Sequence, residues 1–184
     1  MVRRSAEETK AAILLAARER FAADGYERAT IRAVATEAAI DPAMVMRYFG
    51  SKEKLFAAAA AFDLRIPEIP DKSDPGPTLA RHFVERWEED DTLRALLRAA
   101  VSHEAAAERM RALFAEQLGP VAAELAPAGA TAATRAGLVA TQLMGVAMCR
   151  YVLALPPVVA MSRDELAAWL GPTISRYLTA SDPN

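Results

Sequence analysis

The residues of this chain whose types and spacing could do chemistry gather between Thr30 and Lys54, where it reads TIRAVATEAAIDPAMVMRYFGSKEK. The chemistry they suit is recognition rather than catalysis. The spacing predicts two short helices joined by a tight turn. Thr30 is placed to cap the first, which carries Ile31, Val34 and Ala35. Asp41 is a strong N-cap for the second, and Pro42 follows at the first helical position, where a missing N–H costs nothing. Met44, Val45, Tyr48 and Phe49 lie along that second helix. A helix of about two turns buries too little to stand alone in water, so a scaffold must hold it with one face free. A short helix braced by another is a solution for reaching base edges in the DNA major groove.

Other constellations carry less. Ser51-Lys52-Glu53-Lys54 has the S-x-x-K spacing of serine acyl enzymes, but no SDN or KTG partner follows, and Ser51 reads better as a helix cap. Asp71 to Gly76 hints at a calcium loop, yet Pro75 replaces a ligand and the closing Glu is missing. The two histidines, His82 and His103, have no Cys or His at metal spacing. No glycine loop suited to phosphate occurs. Glu88 to Asp91 reads as a solvated helix end. No enzyme, metal or cofactor is expected.

Composition bounds the fold. The chain has 184 residues, 53% apolar and 25% charged, which is globular rather than disordered. Alanine is abundant and β-branched runs are absent, so the expected class is all-α. The single cysteine, Cys149, excludes an internal disulfide framework and fits a reducing cytoplasm. MVRRSAEETK has no apolar run after its arginines, so no signal peptide is expected. The longest uncharged run, 136–149, has 14 residues, too few to span a bilayer. Net charge is −2, but it is uneven: residues 1–54 hold 10 Lys and Arg against 8 Asp and Glu, and the remainder hold 12 against 16. The basic part is where DNA would lie.

The elements that must position the reader follow from periodicity. A first helix is expected from about Glu7 to Ala23, with Ile13, Leu14, Ala17 and Phe21 on one face and Gly25 as the stop. Ser51 caps another, from Lys52 to Leu64. IPEIPDKSDPGP, residues 66–77, holds four prolines and a glycine and is expected to be a break between modules. Further helices are expected at Thr78–Glu88, Thr92–Ser102, Glu104–Leu125 (interrupted near Gly119-Pro120), Thr131–Leu155 (ended by Pro156-Pro157) and Asp164–Leu178 (with Pro172 inside). That makes nine helices.

Residues Lys10 to Phe56 resemble the DNA-binding domain of TetR-type (TetR/AcrR) transcriptional regulators. The features that carry the likeness are Phe21 to Tyr26, Thr30-Ile31-Arg32, Val34-Ala35, Ala39-Ile40-Asp41, Tyr48-Phe49 and Ser51 to Leu55, over roughly a quarter of the chain. The family usually has Gly where this chain has Ala39, and a positive φ there would cost Ala about 1 kcal/mol. The resemblance implies that Arg32 forks onto guanine, while Ala43 and Met44, beside Pro42, touch thymine methyls. It implies phosphate contacts from Thr30, Arg47, Tyr48, Lys52 and the backbone of Met46. Arg3 and Arg4, on an N-terminal arm spanning 1–8, would reach the minor groove or phosphates. DNA binding falls to residues 1–54, and ligand sensing with dimerisation to 55–184.

Phe83, Trp87, Met110, Phe114, Met144 and Met148 are candidates for a ligand pocket, with Phe62 at its edge and His103 offering a hydrogen bond. Met and aromatic residues at helical spacing suit an ordinary core equally. The resemblance implies a cavity for a small-molecule effector, without specifying its chemistry. The helix expected at 131–155 is apolar nearly all round, so it must be covered on every side. A second copy would cover it through Leu138, Leu143, Val146 and Tyr151, joined by Trp169, Ile174 and Tyr177. A central helix wrapped by its own chain is the other possibility. The expected protein is a homodimeric bacterial repressor, cytoplasmic and free of membrane, released from operator DNA by an apolar or weakly polar ligand. The alternative is a helical interaction or dimerisation adaptor without DNA binding.

Overall fold

The structure, a computed structural model, describes residues 5–60 and 63–181. Every regular element among them is helical: ten α-helices and one π turn, against the nine helices expected. The described chain forms two compact units, one from residues 5–60 and 91–110, the other from 63–90 and 111–181. The division expected at residue 54 falls inside a helix of the first unit, and the proline-rich segment lies within the second.

The first unit opens with α1, Ala6–Arg28, started by a capping box in which Ser5 and Glu8 satisfy each other's backbone N–H groups. Gly25 takes φ +74° and breaks the helical path at the expected stop, after which one more turn carries the chain to Arg28. Next come α2, Ile31–Ala38, and α3, Pro42–Phe49. The Thr30 hydroxyl accepts from the Ala33 N–H at 3.1 Å, and the Asp41 carboxylate accepts from the Ala43 N–H at 2.7 Å. Between them Ala39 sits at φ 54°, ψ 49°, the left-handed conformation in which a Cβ is strained. Ala39→Gly is therefore expected to raise stability by about 0.5–1 kcal/mol, measured by urea denaturation. An unchanged midpoint would mean that the turn relaxes around alanine.

Ser51 caps α4, Lys52–Ala59, its hydroxyl accepting from the Lys54 N–H at 3.0 Å. The helix stops short of the expected Leu64. Arg18 Nε donates to the Ala59 carbonyl at 2.9 Å and Arg109 Nε to the Ala60 carbonyl at 3.2 Å, so guanidinium groups satisfy acceptors that a longer helix would have used. α6, Asp91–Ala100, packs on α1, and the first turns of α7, Glu104–Leu125, complete the unit. Phe21 and Phe56 meet edge to face at 4.8 Å in the core, where Ile13, Val34, Val45 and Leu55 are also buried. Burying each such side chain contributes roughly 1.5–3 kcal/mol, which is how two helices of eight residues are held.

The second unit contains α5, Gly76–Glu89, the rest of α7, and α8, Ala132–Ala147. α8 is shorter than the expected helix to Leu155. It gives way to a π turn, Met148–Val152, and Ala154 then takes φ 51°. Pro156-Pro157 open a further short helix, α9, Pro156–Val159, instead of ending the previous one, as suits prolines at first-turn positions. Arg150 fixes this corner by donating to the carbonyls of Val158 (2.7 Å) and Met161 (2.8 Å) and to the Glu88 carboxylate (3.1 Å), which Arg163 also reaches at 2.7 Å. Burial alone would raise the Glu88 carboxyl, but hydrogen bonds and charge from Arg163 and Arg150 outweigh it and hold it below the usual range.

A second capping box, Ser162 with Glu165, starts α10, Arg163–Thr179, which continues through Pro172. α5 and α10 cross with two glycines between them. A Cβ on Gly76 would lie 1.9 Å from the Gly171 carbonyl oxygen, and one on Gly171 would lie 2.8 Å from Pro77 Cγ. The Gly76 N–H donates to Ser175 Oγ at 2.8 Å, and that hydroxyl donates in turn to Asp74.

Candidate nucleic-acid interface

Burial splits α3 cleanly. Val45 and Phe49, one turn apart, are inside, while Pro42, Ala43, Met46 and Arg47 are exposed and Met44 and Tyr48 are half-buried. Thr30 and Arg32 are exposed on the neighbouring α2. Arg20 of α1 pairs with Glu37 of α2, bracing the helix that carries Arg32. Arg47 lies 6.0 Å from the Tyr48 ring centroid. The residues of α2 and α3 expected to face DNA are thus exposed or half-buried, while Val34, Val45 and Phe49 lie inside. Arg3 and Arg4 lie outside the described residues.

Lys52 is held more firmly than its position in the sequence suggests. Its Nζ donates to the Glu27 carbonyl at 3.1 Å and stands 4.5 Å from the centroid of the Tyr26 ring. His103 packs on the same ring at 4.2 Å and donates from Nε2 to the Glu27 carboxylate at 2.9 Å. Burial, followed by the charges of Glu53 and Glu27, pushes the Tyr26 phenol above its ordinary pKa. The sequence carries no local signal for this cluster. His103, expected to serve a ligand, belongs to the first unit instead, as does Met110.

In the second unit a cavity of about 30 Å³ lies among Leu64, Ile66, Phe83, Phe114, Leu118 and Leu143. His82 and Arg86 fix its rim by donating to the Leu64 carbonyl (2.7 Å) and the Asp63 carbonyl (3.0 Å). The volume is far below the 300–1,000 Å³ typical of ligand sites. Of the expected pocket residues, Phe83 and Phe114 line it and Met144 and Met148 do not. Trp87 is fully buried beside Phe83 and stacks on Tyr151 at 6.0 Å, and among the described residues its Nε1 has no hydrogen-bond partner. Phe62 lies outside the described residues.

The expected dimer residues divide. Leu143 and Ile174 are buried by their own chain, and Leu143 lines the cavity, so both are core rather than free interface. The all-round apolar pattern of α8 could not separate burial by its own unit from burial by a partner. Leu138 and Trp169 are 41% and 74% exposed, and Val146, Tyr151 and Tyr177 are half-buried. Leu138 and Tyr177 flank an open groove of about 570 Å³ with Arg135 and Arg176.

An all-α chain with a capped helix-turn-helix, a second helical unit and an outward arginine-bearing face defines a helix-turn-helix regulator. Residues 13–59 match the family model described as bacterial regulatory proteins, tetR family, and residues 74–178 match the tetracyclin repressor-like C-terminal domain. The chain belongs to the TetR family, and it is a DNA-binding transcriptional regulator. That family consists of regulators, not enzymes. The chain is similar to the crystal structure of a TetR-family regulator from Streptomyces coelicolor, with 28% identity and TM-score 0.64 over 97% of this chain and 99% of that one. A Rhodococcus structure of a putative TetR-family regulator aligns at 16% identity with TM-score 0.69, covering 94% and 100%. NalD of Pseudomonas aeruginosa, the secondary repressor of a multidrug efflux pump, aligns at 19% identity with TM-score 0.59, covering 97% and 100%, and shares the fold. No curated protein matches the sequence. Among the described residues no helix is long and apolar enough to cross a membrane.

Proposed function

We propose that this chain is a cytoplasmic homodimeric repressor whose two readers occupy successive major grooves of an operator. The observation that supports this most is the division of α3, with Val45 and Phe49 inward and Ala43, Met46 and Arg47 outward beside Arg32. Arg32 reads a guanine, Ala43 and Met44 touch thymine methyls, and Thr30, Arg47, Tyr48, Lys52 and the Met46 backbone anchor phosphates. DNA binding lies in residues 1–54, and sensing with dimerisation in 55–184. Repression fits the C-terminal match to a repressor-like domain.

The effector reading rests on the apolar interior around Phe83, Trp87 and Phe114. A cavity of about 30 Å³ must open to admit a ligand, so an effector acts by favouring an expanded state over the one described. DNA and effector then weaken each other's binding by the same factor.

Titration against a duplex selected from a random pool tests the reader. Affinity should fall steeply as salt rises. Arg47→Ala should weaken binding to all duplexes alike and flatten the salt slope by about one unit. Arg32→Ala should relax preference at one base pair in each half-site, at a cost of about 1–3 kcal/mol. Equal scaling by both changes would remove Arg32 from base reading, and salt-independent or absent duplex binding would leave an adaptor.

A further inference from the structure

We propose that Tyr26 is a positioning residue for the DNA backbone contact, its ring seating the Lys52 ammonium at the start of α4 while His103 holds that ring and occupies Glu27. The inference rests on the proposed reading of Lys52 as a phosphate anchor. Lys52 is the first residue of α4, behind the Ser51 cap, where free backbone N–H groups already favour an anion. A lysine ammonium on a flexible stem is a poor fixed charge unless something holds it. Here the Tyr26 ring lies beneath it, and the Glu27 carbonyl takes one of its three N–H donors. Two donors remain for a phosphate, with the stem already ordered, so less freedom is lost on binding.

The ring is fixed in turn. Phe56 meets it edge-on at 5.0 Å and His103 packs on it at 4.2 Å. The Glu27 carboxylate is an anion that can capture Lys52, because the carbonyl of the same residue already touches the ammonium. His103 Nε2 donates to that carboxylate at 2.9 Å and so keeps it engaged elsewhere. Without His103, the carboxylate can swing onto Lys52, and the phosphate then competes with an internal anion. His103 precedes α7 in the turn after α6, so a residue outside the helix-turn-helix segment conditions one of its backbone contacts.

Full-length protein and a selected duplex test this by double-mutant cycles read across a salt titration. Lys52→Met should flatten the salt slope by about one unit. Tyr26→Phe should keep affinity and slope. His103→Ala and Tyr26→Leu should each weaken binding about fivefold and flatten the slope in the parent, but change nothing further in the Lys52→Met background. If either change costs the same factor with and without Lys52, Tyr26 is only a packing residue and the inference fails. If Lys52→Met changes neither affinity nor slope, Lys52 makes no phosphate contact and the inference falls with that assignment, while an intact Arg47 effect would preserve the interface. Should Tyr26→Leu not fold, His103→Ala decides, because His103 is partly exposed and its removal leaves the Phe21–Phe56 core in place.

Discussion

Gly76→Ala should lower the melting temperature by roughly 6–12 °C, equivalent to about 3 kcal/mol for a chain of this size. The expectation follows from what the added methyl would meet. Its nearest neighbours are backbone, with the Gly171 carbonyl oxygen at 1.9 Å and its carbon at 2.7 Å, and Ser175 Oγ at 2.6 Å. A flexible side chain could rotate away, but a helix backbone can yield only if α5 and α10 separate. Separation would also break the hydrogen bond from the Gly76 N–H to Ser175 Oγ, which is itself tied to Asp74. Gly119→Ala supplies the contrast: it lies within α7 with nothing among the described residues within 4 Å of the new Cβ, so helix propensity alone should stabilise by about 1 kcal/mol. Both variants can be followed by thermal denaturation in the far ultraviolet. A Gly76→Ala protein melting with the parent would mean that the crossing opens cheaply and the close approach is not a constraint.

What the sequence made legible was local. Thr30, Asp41-Pro42 and Ser51 announce helix starts because a cap bonds to backbone two or three residues away, and all three caps are present. The outward residues of α3 were legible for the same reason, since Val45 and Phe49 one turn apart set its inner face. Features decided by distant partners were not. The end of α4 depends on Arg18 and Arg109, and the α5–α10 crossing on two glycines far apart in sequence. The π turn after α8 is held by Arg150, whose carbonyl partners lie in and beyond α9. His103 could be read only as a lone polar residue, because its partners Tyr26 and Glu27 lie at the far end of α1.

The dimer reading yields the largest functional effect, and burial decides where to test it. Leu143→Glu would place a charge at a side chain 4% exposed beside the small cavity, so it should unfold the second unit whether or not a dimer exists. Leu138 and Trp169 are different. They are exposed in the protomer, so glutamate there should leave an isolated chain folded. Around Leu138, Gly137, Thr141 and Gly145 are also exposed, leaving α8 a flat outward strip against which a second helix can approach closely. If a second copy covers these positions, Leu138→Glu or Trp169→Glu buries an unpaired charge, and sedimentation should show monomer where the parent is dimer. Operator affinity should then fall by about 100-fold or more, because two readers meant for half-sites 34–36 Å apart are no longer joined. Circular dichroism must match the parent for that loss to report on assembly. Folded variants that remain dimeric with parental affinity would place the two-fold contact on another surface and leave the exposed faces of α8 and α10 without that role.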